Sequence, residues 1–114
     1  MNDDITLQEI TKQLREKIGS IEKAEGKSID VGSISKQLQQ RVEKLSTLIH
    51  DEQNYPHRDL KDTNYFVLIE EIENEFTAIL SSMLVIADRY SIDLRKTQQD
   101  LLKDLNKYLE IKNS

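Results

Sequence analysis

The chain has 114 residues, no cysteine, three glycines and one proline, and its 16 Lys and Arg against 21 Asp and Glu give a formal net charge of −5. That length suits one domain spanning residues 1–114. The acidic balance excludes a protein built mainly to grip phosphate backbones, so no nucleic-acid partner is expected. The missing cysteines exclude disulfides, zinc thiolates and a thiol nucleophile. Scarce glycine and proline disfavour a turn-rich β architecture. No apolar run approaches the ~20 residues of a membrane span, and the start Met1-Asn2-Asp3-Asp4 is acidic with no apolar stretch behind it. A soluble, cytoplasmic, all-α protein with no membrane partner is the expectation.

In chain order, Leu7, Ile10, Leu14, Ile18 and Ile21 recur at helical spacing and line one face of a first helix. Thr6 stands three residues before Glu9, a capping-box spacing, and Gly26 supplies the stop. A second helix carries Ile34, Leu38, Val42, Leu45 and Ile49, with Ser33 as its cap and an end near Glu52. Asn54, Pro56 and Asp59 mark the turn that follows. The third helix, roughly Asn64 to Tyr90, is apolar over much of its circumference, which is the pattern of a helix enclosed by others or set in a subunit interface. Asp93 caps a fourth helix through Leu94, Leu101, Leu105 and Leu109, and the tail Lys112-Asn113-Ser114 is expected to fray. Four helices with short connections predict an antiparallel four-helix bundle, dimerising or tetramerising through the third helix.

Few residues suggest chemistry by type alone. His50 and His57 flank the proline turn without a third metal ligand at motif spacing, and the glycines are isolated, so no phosphate loop exists. Glu70, Glu71, Glu73 and Glu75 crowd six positions, with Glu71 and Glu75 on one helix face. Close like charges need compensation. Either Mg²⁺ takes these hard oxygen ligands, or the acids form a solvated face paired to Lys and Arg of neighbouring helices.

The stretch from Glu75 to Leu94, ending Ala87-Asp88-Arg89-Tyr90-Ser91-Ile92-Asp93-Leu94, resembles the C-terminal half of the MazG-like all-α nucleoside triphosphate pyrophosphohydrolases, with Ser91 where glycine is common. Leu38-Gln39-Gln40-Arg41-Val42-Glu43-Lys44-Leu45 is the counterpart of the family's Leu-x-Glu-Glu-x-x-Glu-Leu. The resemblance implies two acidic motifs facing each other across a bundle and holding Mg²⁺, which bridges a triphosphate and activates water. The products are then a nucleoside monophosphate and pyrophosphate.

Gln39 and Gln40 replace the two leading acids of the first motif, and Ala78 replaces the aspartate of the second. Glu43 and Glu75 keep their carboxylates. Amides bring no negative charge to offset the dehydration of Mg²⁺. The resemblance thus implies an eroded metal site, with weak or absent hydrolysis and a nucleotide-binding or regulatory role. Mg²⁺ is the implied cofactor where hydrolysis survives, and none otherwise. Lys103 and Asn106 stand near the family's phosphate-contacting Lys and Asn, and a homo-oligomer is expected. Glu71, with Glu70 and Glu75, offers an alternative ligand set. A different class stays open: a small four-helix interaction protein, such as an immunity or phage regulatory protein, with no nucleotide chemistry.

Overall fold

A computed structural model describes residues 6–113. The described chain is all-helical, with α1 (Leu7–Glu25), α2 (Val31–Gln53), α3 (Thr63–Arg89) and α4 (Leu94–Asn113), and no strand among the described residues. The four expected helices are therefore present. Their ends follow local chemistry. Thr6 Oγ1 accepts from Glu9 N at 3.1 Å, which satisfies an orphan amide at the start of α1. Gly26 closes the helix at φ 71°, in the left-handed region, with its N–H on Glu22 O.

The cap of α2 differs from the expectation. Asp30, not Ser33, is the capping residue: its carboxylate accepts from Gly32 N at 3.0 Å and from Ser33 Oγ at 2.9 Å. Ser33 lies inside the first turn, so its hydroxyl serves the cap instead of being it. Asp30 titrates below its ordinary range because the Ser33 hydroxyl and the Gly32 amide both bond its charged form. Asp93 does cap α4, accepting from Arg95 N at 3.0 Å and Lys96 N at 3.3 Å. The expected fraying of the tail falls partly on Ser114, which lies outside the described residues, as do residues 1–5. The helix continues to Asn113.

The chain divides into two compact units, Ile29–Ile86 and a second made of the residues up to Ser28 with those from Ala87 on. The first is a helical hairpin of α2 and α3. Along α2 the residues withdrawn from solvent are Val31, Ile34, Leu38, Arg41, Leu45, Leu48 and Glu52. These steps of three and four repeat as in a coiled-coil seam. Along α3 the matching series is Tyr65, Leu68, Ile72, Glu75, Ile79, Ser82 and Ile86, all buried or half-buried. Two bonds fix how the series meet: Tyr65 Oη donates to Glu52, and Arg41 donates to Glu75. One sequence number rises as the other falls, so the helices run antiparallel. In that register Leu48 lies level with Leu68 and Leu38 with Ile79.

The seam corrects the expected α2 stripe. Arg41 and Leu48 face inward, whereas Val42 and Ile49 remain 45% and 42% exposed. Hydropathy alone favoured Val42 because it ignores the charged partner that draws Arg41 in.

In the second unit, Thr11, Ala87 and Leu94 are buried, and Arg15 on α1 donates to Asp88 at the end of α3. Thr11 replaces Ile10 on the inner face of α1, because its hydroxyl bonds Leu7 O at 2.7 Å and needs no other partner. No large side chain among the described residues is completely enclosed.

Candidate functional site

The second acidic motif brings one carboxylate indoors. Glu75 is 6% exposed and sits on the α3 side of the hairpin seam. A carboxylate there needs compensation, because a desolvated charge without a partner is costly. α2 provides it twice. Arg41 Nη1 lies 3.4 Å from Glu75 Oε1, and Lys44 Nζ lies 3.6 Å from Oε2. Arg41 and Lys44 are one helical turn apart, so both reach the same acid. Gln37 and Gln40 join Arg41, Lys44 and Glu75 around a hollow of about 230 Å³.

The residues singled out by sequence separate here. Gln40 and Glu75 line this hollow, while Gln39 and Glu43 are exposed and are not part of its lining. Helical geometry explains the split: with Arg41 on the seam, Gln39 is turned away by about 200°. Glu71 is exposed on α3, and Lys103 and Asn106 are exposed on α4. Ala78 is half-buried. Among the described residues, no three His, Cys, Asp or Glu side chains lie close enough together to hold a metal ion. Sequence reading missed Arg41 and Lys44. Their signal was present: with Leu38 and Leu45 on the two leucines of Leu-x-Glu-Glu-x-x-Glu-Leu, the glutamate positions fall on Gln40, Arg41 and Lys44, one residue beyond Gln39, Gln40 and Glu43.

A second polar cluster closes the loop end of the hairpin. Glu52 Oε1 accepts from Arg58 Nε at 2.9 Å, Arg58 Nη2 at 2.7 Å and Tyr65 Oη at 2.8 Å. Charge-assisted bonds from Arg58 and the Tyr65 hydroxyl hold the Glu52 carboxyl below its ordinary range. Donating to Glu52 pushes the Tyr65 hydroxyl up. The Tyr55 ring lies 5.3 Å from that of Tyr65, tilted by 55°. Its hydroxyl is pushed up by desolvation and by Asp62. His50 and His57 are exposed at this end. The cluster fixes the turn and offers no nucleophile–base pair.

In the second unit, Gln8, Arg15, Ser91, Ile92, Asp93 and Arg95 border an open hollow of about 510 Å³. Its carboxylate is taken up in capping α4, and Arg15 is engaged with Asp88. Ser91 adopts φ 53°, the left-handed conformation. Its N–H bonds Asp88 O, and that of Ile92 bonds Ala87 O, which closes α3 in a Schellman turn. No helix among the described residues is long and apolar enough to cross a membrane. No family model matches the chain, and neither a curated protein nor a solved structure matches it significantly.

Proposed function

We propose that this chain is a cytoplasmic regulatory or binding protein related to the MazG-like pyrophosphohydrolases, with no hydrolytic turnover of its own. The observation that carries this reading is the state of Glu75. Where the resemblance calls for carboxylates converging on Mg²⁺, the buried acid meets Arg41 and Lys44 from the facing helix. Two fixed cations neutralise it, and a divalent ion entering the hollow would meet their repulsion. Gln40 contributes a neutral amide. Water activation by a metal has no support from this donor set.

The test is titration calorimetry with Mg²⁺ and the common nucleoside triphosphates, followed by a pyrophosphate-release assay. Little Mg²⁺ binding and no metal-dependent release are expected. Fast Mg²⁺-dependent release that disappears in Glu75→Gln would overturn the proposal.

A second reading, an interaction protein with no nucleotide chemistry, is favoured by the apolar stripe of α4. Leu101, Leu102, Leu105, Tyr108 and Leu109 are each more than half exposed. The same titrations separate the two readings. Metal-free binding of a nucleotide that weakens in Arg41→Ala supports the first, and no heat with any nucleotide supports the second.

A further inference from the structure

The hollow beside Glu75 lies within the α2–α3 hairpin and is rich in hydrogen-bond donors. Arg41 Nη1 stands 3.4 Å from Glu75 Oε1, and Lys44 Nζ stands 3.6 Å from Oε2. Both distances exceed the ~2.7–2.9 Å of closed charge-assisted bonds. The carboxylate therefore gathers two cations at one place without using up their donors. Their side chains are 43% and 65% exposed, so the remaining N–H groups stay open to a ligand. Gln37 and Gln40 border the same hollow, and neither side-chain amide is bonded among the described residues. Two cations against one carboxylate leave the lining with a single excess positive charge. We infer that this hollow binds a phosphate-type oxyanion directly, with Arg41 and Lys44 holding it in place of a metal, and that the charge on Glu75 limits how tightly it is held.

The class of ligand follows from the donors. Free N–H groups on a guanidinium, an ammonium and two amides call for a group that offers many acceptors and more than one negative charge. Phosphates meet both needs: the planar fork of Arg41 takes two oxygens at once, and Lys44 adds a point charge. A carboxylate brings one charge and two oxygens, and leaves donors unused. Size narrows the choice further. The hollow holds about 230 Å³, below the ~300–1,000 Å³ of pockets that enclose a whole small molecule. It takes a phosphate end, and any nucleoside attached to that end stays in solvent. Glu75, 6% exposed, lies behind its cations. It pulls them together and subtracts its own charge from theirs. Glu71, one turn away on α3, is exposed and lies outside the lining. The inference rests on the metal-free binding role proposed above and names the group recognised, the phosphate and not the base.

An NMR titration of the full chain with inorganic pyrophosphate, in EDTA and about 0.1 M salt, tests it. Amide shifts centred on Gln40, Arg41, Lys44 and Glu75 are expected, saturating with a Kd below about 1 mM. Lys44→Gln, which leaves Arg41 on the carboxylate, should weaken binding about fivefold or more. Glu75→Gln should tighten it by about the same factor, with unchanged helical circular dichroism. Lys36→Gln is the control. It lies about 12 Å along α2 from Lys44, beyond a Debye length, and should change the Kd by less than about twofold. Absence of saturation, a need for added Mg²⁺, weaker binding in Glu75→Gln, or equal losses in Lys36→Gln and Lys44→Gln each overturn the inference. Lys44→Gln decides the matter if Glu75→Gln loses helicity. ADP in the same buffer separates the sources of the phosphate. Equal affinities for ADP and pyrophosphate support the inference. Binding of pyrophosphate without ADP also supports it and overturns the nucleotide-binding role. Binding of ADP without pyrophosphate overturns the inference and leaves that role standing.

Discussion

Arg41 and Glu75 occupy the same level of the α2–α3 seam, 3.4 Å apart, between apolar layers. Glu75 is enclosed, whereas the Arg41 side chain keeps 43% of its surface in water. A polar pair at such a level adds little stability but disfavours other registers, in which each charge would face an apolar residue. Arg41→Leu removes the hydrogen bond to Glu75 and leaves the carboxylate with Lys44, 3.6 Å away, so it should cost about 1–3 kcal/mol, the range for losing a bond to a buried charged acceptor. Arg41→Leu combined with Glu75→Leu should recover most of that loss. A double-mutant cycle by urea unfolding measures the coupling. If the double variant is as unstable as the sum of the single ones, the pair has no coupling and the register argument fails.

The Glu52 cluster makes the hairpin sensitive to pH at both extremes. Glu52 has its folded pKa held below the ordinary 4.5, so its contribution is complete above that value and is lost as pH falls through the lowered one. Tyr65 is raised above 10.0, so its contribution is complete below 10.0 and is lost as pH rises through the raised value. Urea midpoints should therefore fall at both ends of the pH range. Tyr65→Phe should flatten the alkaline limb and leave most of the acid one, because Arg58 still holds Glu52. An alkaline limb of equal steepness in Tyr65→Phe would assign that loss to another group.

The seam makes a sharp distinction between neighbouring apolar residues of α2. Leu48 is 7% exposed and Val42 45%. Leu48→Ala should cost about 2–3 kcal/mol, the lower part of the range for a leucine truncated in a core. Val42→Ala should stay within about 0.5 kcal/mol, as surface substitutions do. Equal losses at the two positions, measured by urea unfolding, would mean that α2 is rotated from the seam described.

Helix number and most helix ends were legible because they depend on local chemistry. Thr6, Gly26 and Asp93 act within a few residues of themselves, and a short window of sequence contains the whole cause. The inner faces were less legible. Val42 and Arg41 differ by 100° around the helix, and only the partner at Glu75 decides which one turns inward. The candidate site behaved in the same way. Glu75 was found through its motif, but its neutralisation by Arg41 and Lys44 depends on α3 returning alongside α2 in one particular register. A residue thirty-four positions away supplies that information, and no periodicity within α2 encodes it.

Ser91 carries a conformational cost that can be removed. Its φ of 53° places a non-glycine residue in the left-handed region, at the position of the Schellman turn where glycine is the common choice. A Cβ in that region costs about 1 kcal/mol or more. Ser91→Gly removes it but also loosens the unfolded chain, which returns part of the gain. The net effect should be a stabilisation of about 0.5–1 kcal/mol. Gly26 supplies the converse. It lies at φ 71° with open space where a Cβ would project, so Gly26→Ala meets no clash and should lose about 1 kcal/mol through the dihedral alone. Urea unfolding of the two variants beside the parent chain measures both signs. A destabilised Ser91→Gly would show that the serine hydroxyl, rather than the backbone angle, sets the energy of the turn.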